Sequence, residues 1–297
     1  MNNLKVRSLF FMLIATNVFA NDSDFYTSAR AILGDMVEIE STREKGLATS
    51  VSKYAESVLL NNGFEEGDLE VVGPAEASKG LYAIYRGRSS QDPVIVMAHI
   101  DVVPAVKDSW ITNPFKMTEI DGFLHGRGTS DNKAGAAGLV ATFARLRSEG
   151  FIPQNDIIML LTGDEETGMQ SIRYFKDNYK NVQNAAFALN SDGGYLTGTM
   201  DNPEAFRLQS AEKVYFTVTL TANNRGGHSS IPRKDNAIYD LADAIKKIQE
   251  FDFPISLNQT TRATLEFSMK DANESEKSQM NLILNEVQQE YELLKKD

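Results

Sequence analysis

Hydrophobic positions along the first two thirds of the chain alternate between helical and strand-like spacing. Apolar residues three or four positions apart predict two early helices, over 24–37 and 47–60. Further helices are predicted over 133–147 and 171–179. Short apolar runs predict five strands, at 69–72, 81–85, 93–98, 157–162 and 185–189. This alternation predicts an α/β fold with a largely parallel sheet.

The pattern changes near residue 212. Apolar residues alternate from Val214 to Thr221, as in a half-buried strand, and 235–249 has the spacing of an amphipathic helix. Apolar residues on one face predict a last helix within 271–297. We therefore expect a second, smaller α+β unit, with the first domain over 21–210 and the second over 211–297.

The first twenty residues have the pattern of a secretory signal peptide. Lys5 and Arg7 precede an apolar stretch over 9–15, and Val18-Phe19-Ala20 has the form of a cleavage site. A short membrane anchor is the alternative, but the apolar run is shorter than the roughly 20 residues that span a bilayer. The pattern favours a periplasmic or secreted protein with no membrane contact after cleavage.

Composition limits the chemistry that the chain can perform. The 297 residues are 42% hydrophobic and 24% charged, as in a soluble globular protein. The 41 acidic and 30 basic residues give a net charge of -11, which disfavours a nucleic-acid partner. There is no cysteine, so thiolate nucleophiles and thiolate metal ligands are excluded. With only His99, His125 and His228 as nitrogen ligands, any metal site must be mostly carboxylate.

Acidic and imidazole side chains follow successive predicted strands. In open α/β sheets, ligands bind beyond the carboxyl ends of the strands. Taken singly, these residues have structural explanations, such as a helix cap for Asp131 or a turn for Asp192. Their joint occurrence at one sheet edge predicts a metal site. The residues concerned are His99, Asp101, Asp131, Glu165, Glu166 and Asp192.

Four short segments, spread over a region from about residue 25 to 265, resemble those of a known enzyme family. The segments are HIDVVP at 99–104, GTSDNK at 128–133, DEETG at 164–168 and NSDG at 190–193. In order and content they resemble the co-catalytic zinc peptidases and deacylases, which include glutamate carboxypeptidase, succinyl-diaminopimelate desuccinylase, acetylornithine deacetylase and aminoacylase. The resemblance implies a three-layer α/β/α catalytic domain with an inserted α+β lid and dimerisation domain.

The resemblance also implies a role for each matching residue. His99 and Asp192 would bind one ion, Glu166 would bind a second, and Asp131 would bridge both. Asp101 would orient His99 through its other ring nitrogen. Glu165 would be the general base. The peptide between Asp131 and the next residue would be cis.

The implied activity is hydrolysis of a peptide or amide bond in a small peptide or an N-acyl amino acid. Two ions about 3.5–4 Å apart can share a water molecule and lower its pKa from 15.7 towards 7. A carboxylate that binds no metal must then carry the proton to the leaving amine. Zn²⁺ is the expected ion, with Co²⁺ or Mn²⁺ as alternatives. Asp192 favours a peptidase, of carboxypeptidase or dipeptidase type, over a deacylase.

The lid motif and the end of the sequence raise further expectations. His228 lies in NRGGHSSIP and would hydrogen-bond the oxyanion in a partner's active site, which implies a homodimer; His125 is expected in a loop near the sheet. No histidine follows His228, so the second metal site is expected to be weak and the chain to lack the family's returning catalytic segment. An inactive member that only dimerises is one alternative. A periplasmic binding protein is another, but it leaves the four motifs unexplained.

Overall fold

The computed structural model describes residues 22–199, 202–228, 230–231, 233–253 and 256–294, with side chains from 25 to 285. The predicted signal peptide lies outside the described residues. The chain divides into two compact units, Met1–Tyr195 and Leu196–Asp297. The domain boundary expected at 210/211 stays a prediction. Within the described parts of the chain, no helix combines the length and apolar character needed to cross a membrane.

The first unit contains nearly all the elements that the pattern predicts. Its helices are α1 (Asp22–Glu38), α2 (Ala48–Asn61), α3 (Lys133–Ser148), α4 (Gln170–Asn178) and the short α5 (Lys180–Gln183). Its strands are β1 (Leu69–Val72), β2 (Gly80–Tyr85), β3 (Ser89–His99), β4 (Thr118–Ile120), β5 (Phe123–His125), β6 (Asn155–Thr162) and β7 (Phe187–Asn190). The β4–β5 hairpin was not predicted, because three-residue strands carry little periodicity.

Five strands form one mixed sheet in the order β1-β2-β6-β3-β7. The β3–β6 and β3–β7 pairs are parallel, whereas the β1–β2 and β2–β6 pairs are antiparallel. The prediction of a largely parallel sheet is therefore wrong for one half of the sheet. The connection between β1 and β2, residues 73–79, is shorter than the dozen or so residues that a parallel crossover needs.

Both faces of the sheet are covered, which gives the three-layer α/β/α architecture. Along β2, Leu81, Ala83 and Tyr85 point into a large core shared with α1, α2 and α3. The alternate residues Tyr82 and Ile84 point into a smaller core on the other face, shared with Phe175 and its neighbours from α4 and α5. This alternation follows the two-residue side-chain period of a strand.

The parallel half of the sheet brings three strand ends to one edge. His99, the last residue of β3, is paired with Thr162, the last residue of β6. Asn190, the last residue of β7, is paired with Met97 two positions earlier in β3. The residues that follow these strands therefore leave the sheet side by side.

The second unit differs from the prediction. It contains the β8–β9 hairpin (Tyr195–Gly198 and Pro203–Arg207), which begins at the unit boundary, and the helices α6 (Ala237–Gln249), α7 (Gln259–Ser268) and α8 (Glu274–Leu294). The strand predicted from Val214 to Thr221 is wrong: this segment has no regular secondary structure, and Val214 and Phe216 are 87% and 71% exposed. None of the described side chains from 196 to 285 is buried. A strand pattern needs a neighbouring strand to pair with, and no described residue supplies one here.

Candidate metal centre

His99 is the centre of the candidate site. It ends β3 and is buried. Its Nε2 lies 2.7 Å from Asp131 Oδ1 and 3.6 Å from Asp192 Oδ1. Asp131 precedes α3 and Asp192 follows β7, so three separate segments contribute to one cluster. One ligand atom from each of the three residues lies within 4.8 Å of the others.

A second cluster contains the same histidine. Glu165 and Glu166 follow β6, and one ligand atom from each lies within 4.8 Å of a ring nitrogen of His99 and of the other. The structure therefore brings all the residues predicted to bind metal into two groups that share His99. Both glutamates take part in the second group, so geometry alone does not separate the predicted metal ligand from the predicted base.

Asp101 connects His99 to the two glutamates. His99 Nδ1 donates a hydrogen bond to the backbone oxygen of Asp101 over 3.0 Å, and the Asp101 carboxylate lies 3.5 Å from the same nitrogen. Each carboxylate oxygen of Asp101 accepts a hydrogen bond of 3.0 Å, one from the backbone N–H of Glu165 and one from that of Glu166. The family resemblance implied a contact of Asp101 with His99; the contacts with the glutamate backbone are additional.

Asp164 shapes the loop that carries the glutamates, a role that sequence reasoning did not assign. Its buried carboxylate accepts hydrogen bonds from the backbone N–H groups of Gln170 (2.8 Å) and Ser171 (2.9 Å) and from the Ser171 hydroxyl. Because these amides belong to the first turn of α4, Asp164 caps that helix. The available signal was an acidic residue shortly before a predicted helix.

Asp131 is held at the start of α3. The Asp131–Asn132 peptide is cis, as the family resemblance implied. The next residue, Lys133, is fully buried, and its Nζ donates hydrogen bonds to the backbone oxygens of Met36 (2.9 Å) and Ile39 (2.7 Å). Burial lowers the Lys133 pKa to about 7. These bonds tie α3 to the end of α1, a role that sequence reasoning missed because lysine ordinarily marks a solvated surface.

The site concentrates negative charge around one imidazole. Burial lowers the pKa of His99, but the neighbouring carboxylates of Asp101, Asp192 and Asp131 raise it more, to about 9. Burial, together with nearby acidic groups, raises the pKa values of Glu165 and Glu166. In the metal-free protein, the imidazolium is thus the positive charge that the carboxylates surround. A bound cation would take over this role.

The other two histidines belong to neither cluster. His125 ends β5 and is paired with Thr118 in the separate β4–β5 hairpin, so the expectation of a loop residue is wrong. His228 lies in an exposed loop of the second unit, where its Nδ1 is 2.7 Å from Ser230 Oγ. Its lid role stays a prediction.

Comparison with known proteins identifies the family. The model of Peptidase family M20/M25/M40 matches residues 95–283, more than half of the chain. The chain belongs to this family.

Curated relatives include an N-acyl hydrolase and a desuccinylase. Human N-fatty-acyl-amino acid synthase/hydrolase PM20D1 is 33% identical over 191 residues, which cover 62% of this chain and 38% of that protein. A probable succinyl-diaminopimelate desuccinylase of Staphylococcus aureus is 29% identical over 228 residues, covering 74% of this chain and 51% of that protein. The chain thus spans about half or less of the length of these relatives.

Solved structures share the fold. Human carnosine dipeptidase 1 matches with a TM-score of 0.50 and 22% identity, over 59% of this chain and 41% of that one. The dipeptidase Dug1p from Saccharomyces cerevisiae matches with a TM-score of 0.51 and 19% identity, over 59% of this chain and 40% of that one. These matches support the α/β/α architecture of the first unit.

The donor set fits a divalent cation. One imidazole nitrogen and several carboxylate oxygens converge from different segments within ligand-sharing distance. Imidazole and carboxylate are ordinary ligands of Zn²⁺, which binds them at about 2.0–2.2 Å. Asp131 has 65% of its side chain exposed, so its carboxylate is accessible to an incoming ion.

Proposed function

We propose that the protein is a metal-dependent hydrolase that cleaves a peptide or amide bond in a small peptide or an N-acyl amino acid. The observation that carries the proposal is the convergence of His99 with Asp131 and Asp192 on one side and with Glu165 and Glu166 on the other. Membership of the M20/M25/M40 family supports the same reaction class.

Within this proposal, His99, Asp131 and Asp192 would hold the first divalent cation, and Asp131 with Glu166 would hold the second. Zn²⁺ is the preferred ion, and Co²⁺ or Mn²⁺ are substitutes. Bound cations would supply Lewis acidity that lowers the pKa of water and polarises the scissile carbonyl. The proximity of His99, Asp131 and Asp192 supports the first position. The assignment of Asp131 and Glu166 to the second position follows the family resemblance.

Glu165 performs the proton transfers in the proposed reaction. Its carboxylate accepts a proton from water as the water oxygen attacks the carbonyl carbon, and it returns the proton to the amine nitrogen as the C–N bond breaks. Burial raises its pKa, which suits a base that must also act as an acid. Asp101 holds the backbone N–H of Glu165 and thereby fixes the base next to His99.

The substrate class has two candidates within this reaction type. Asp192 favours a peptidase within the family resemblance. Human PM20D1 is named for the synthesis and hydrolysis of N-fatty-acyl amino acids, and human carnosine dipeptidase 1 is named for the cleavage of a dipeptide. Both substrate types present an amide bond next to an amino-acid carboxylate.

The test is a paired assay on the purified full chain. The protein is stripped with chelator, reloaded with Zn²⁺, and incubated with a panel of dipeptides and N-acyl amino acids while free amine is measured. We expect hydrolysis only in the reloaded protein, and the ratio of the two rates assigns the substrate class. Absence of both zinc binding and hydrolysis would overturn the proposal.

The remaining expectations are proposed with it. We propose a homodimer formed through the second unit, with His228 of one protomer acting at the partner's site, and export directed by residues 1–20. Light scattering on the purified protein tests the dimer. N-terminal sequencing of protein from the native host tests cleavage after Ala20.

A further inference from the structure

A contact joins two segments that each carry a proposed metal ligand. Asn132 follows Asp131, and Ser191 precedes Asp192. The Ser191 hydroxyl lies 3.2 Å from Asn132 Oδ1 and also 3.2 Å from the backbone oxygen of Met97 in β3. The contact therefore joins the start of α3 to the loop after β7, at the point where each presents a metal ligand.

The Asn132 side chain has few other polar contacts. Its residue is 1% exposed, and its Nδ2 has no hydrogen-bond partner among the described residues. A buried amide N–H without a partner is costly. On the oxygen side, the Ser191 hydroxyl has one proton for two acceptors, Asn132 Oδ1 and the Met97 backbone oxygen. The Asn132 side chain therefore keeps this position only where neighbouring atoms pack closely around it.

Gly135 provides that packing. A Cβ atom added at Gly135 would overlap Ser191 Oγ and Asn132 Oδ1 and would lie 2.8 Å from Ser191 Cβ. Real Cβ atoms essentially never approach other atoms within 3.0 Å. Gly138, one turn later in the same helix, has nothing within 4 Å of the corresponding position. Of the two glycines in α3, Gly135 therefore packs against the Asn132–Ser191 contact and Gly138 does not.

We propose that Asn132, Ser191 and Gly135 are positioning residues that set the separation of the Asp131 and Asp192 carboxylates and hence the affinity for the first cation. The inference rests on the proposed function, because it assumes that His99, Asp131 and Asp192 bind metal. In this proposal the three residues act through Asp131 and Asp192 and are not themselves ligands. Outer-shell partners of metal ligands typically change affinity by about 10–100-fold.

The first test compares two glycine substitutions in α3. Zn²⁺ is titrated calorimetrically into the chelator-stripped full chain. Gly135→Ala should lower the zinc affinity by about 10–100-fold, because the methyl group pushes Ser191 and Asn132 apart. Gly138→Ala is the matched control and should leave the affinity unchanged. Equal affinities of the two folded variants would overturn the inference.

The second test does not depend on the folding of Gly135→Ala. Ser191→Ala removes the hydroxyl and should weaken zinc binding, whereas Ser191→Thr keeps the hydroxyl and should restore it. Unchanged affinity in Ser191→Ala would overturn the inference while leaving the proposed function intact. If the wild-type chain binds no zinc at all, the proposed function fails, and this inference fails with it.

Discussion

The two units of the chain have similar amphipathic patterns in their sequences but different burial in the structure. In the first unit, α1 to α5 cover both faces of a five-stranded sheet. In the second unit, none of the described side chains from 196 to 285 is buried, although α6 has a clear apolar face. The pattern of a segment shows which side is apolar, whereas burial also requires a partner surface.

The difference extends to function. Every residue predicted to bind metal or to act as the base lies in the first unit, at the carboxyl ends of β3, β6 and β7 or at the start of α3. The only predicted site residue in the second unit is His228. Experiments on the first unit should therefore change chemistry and stability directly, and experiments on the second unit test the proposed homodimer.

The largest effect is expected for Glu165→Gln. Glutamine cannot accept the proton from water, so hydrolysis should fall by about 10²–10⁴-fold, while zinc affinity stays within a few-fold of the wild type. Steady-state rates and calorimetric titration measure the two quantities. Loss of zinc binding in this variant would show that Glu165 is a ligand, with Glu166 as the candidate base.

A pair of phenylalanine substitutions tests the difference in burial. Phe175 is fully buried in the smaller core, so Phe175→Ala should lower the free energy of unfolding by about 3–5 kcal/mol. Phe216 is exposed, and Phe216→Ala should change it by no more than about 0.5 kcal/mol. Urea unfolding followed by circular dichroism measures both. A large decrease in the free energy of unfolding for Phe216→Ala that depends on protein concentration would contradict the difference in burial between the two units. It would place Phe216 in an interface between copies of the chain.

Asp101→Asn should have a smaller effect on catalysis. The asparagine side chain has one acceptor oxygen in place of two, so one of the N–H groups of Glu165 and Glu166 loses its partner. We expect activity to fall by about 10–100-fold. The exposed substitution Asp177→Asn in α4 serves as the control for a change of charge. Equal activities in the two variants would show that the glutamate loop keeps its position without Asp101.

The smallest expected effect is the change in zinc affinity for each unit of pH. Below its pKa of about 9, His99 is protonated in the metal-free protein, and zinc must displace that proton. Apparent affinity should therefore rise by about tenfold per pH unit towards pH 9 and then level off. Calorimetry at several pH values measures the affinity, and NMR titration of His99 measures its pKa. A constant affinity between pH 6 and 8 would contradict this account.

Features that depend on residues close together in the sequence could be predicted, and features that depend on contacts between distant segments could not. The strands β3 and β6 and the helix α3 were predictable because each is a long apolar or amphipathic run, and the site followed from acidic residues directly behind strands. The antiparallel pairing of β1 with β2 follows from the short loop between them, and the hydrophobic pattern carries no information about loop length. The buried Lys133 and the contacts of Asp164 depend on packing between distant segments, which no local pattern records.

The hydrogen bond from His99 Nδ1 to the Asp101 backbone has a consequence for metal selectivity. It leaves Nε2 as the one imidazole nitrogen free to coordinate, and neither of the other histidines lies in a cluster among the described residues. In the proposed arrangement, His99 gives one cation position a nitrogen donor, whereas Asp131 and Glu166 give the other position oxygen donors. Nitrogen donors suit Zn²⁺, whereas oxygen donors suit Mg²⁺ and Mn²⁺. Among the described residues, the single histidine thus makes the two proposed positions chemically unequal, and the position that includes His99 is the better match for Zn²⁺.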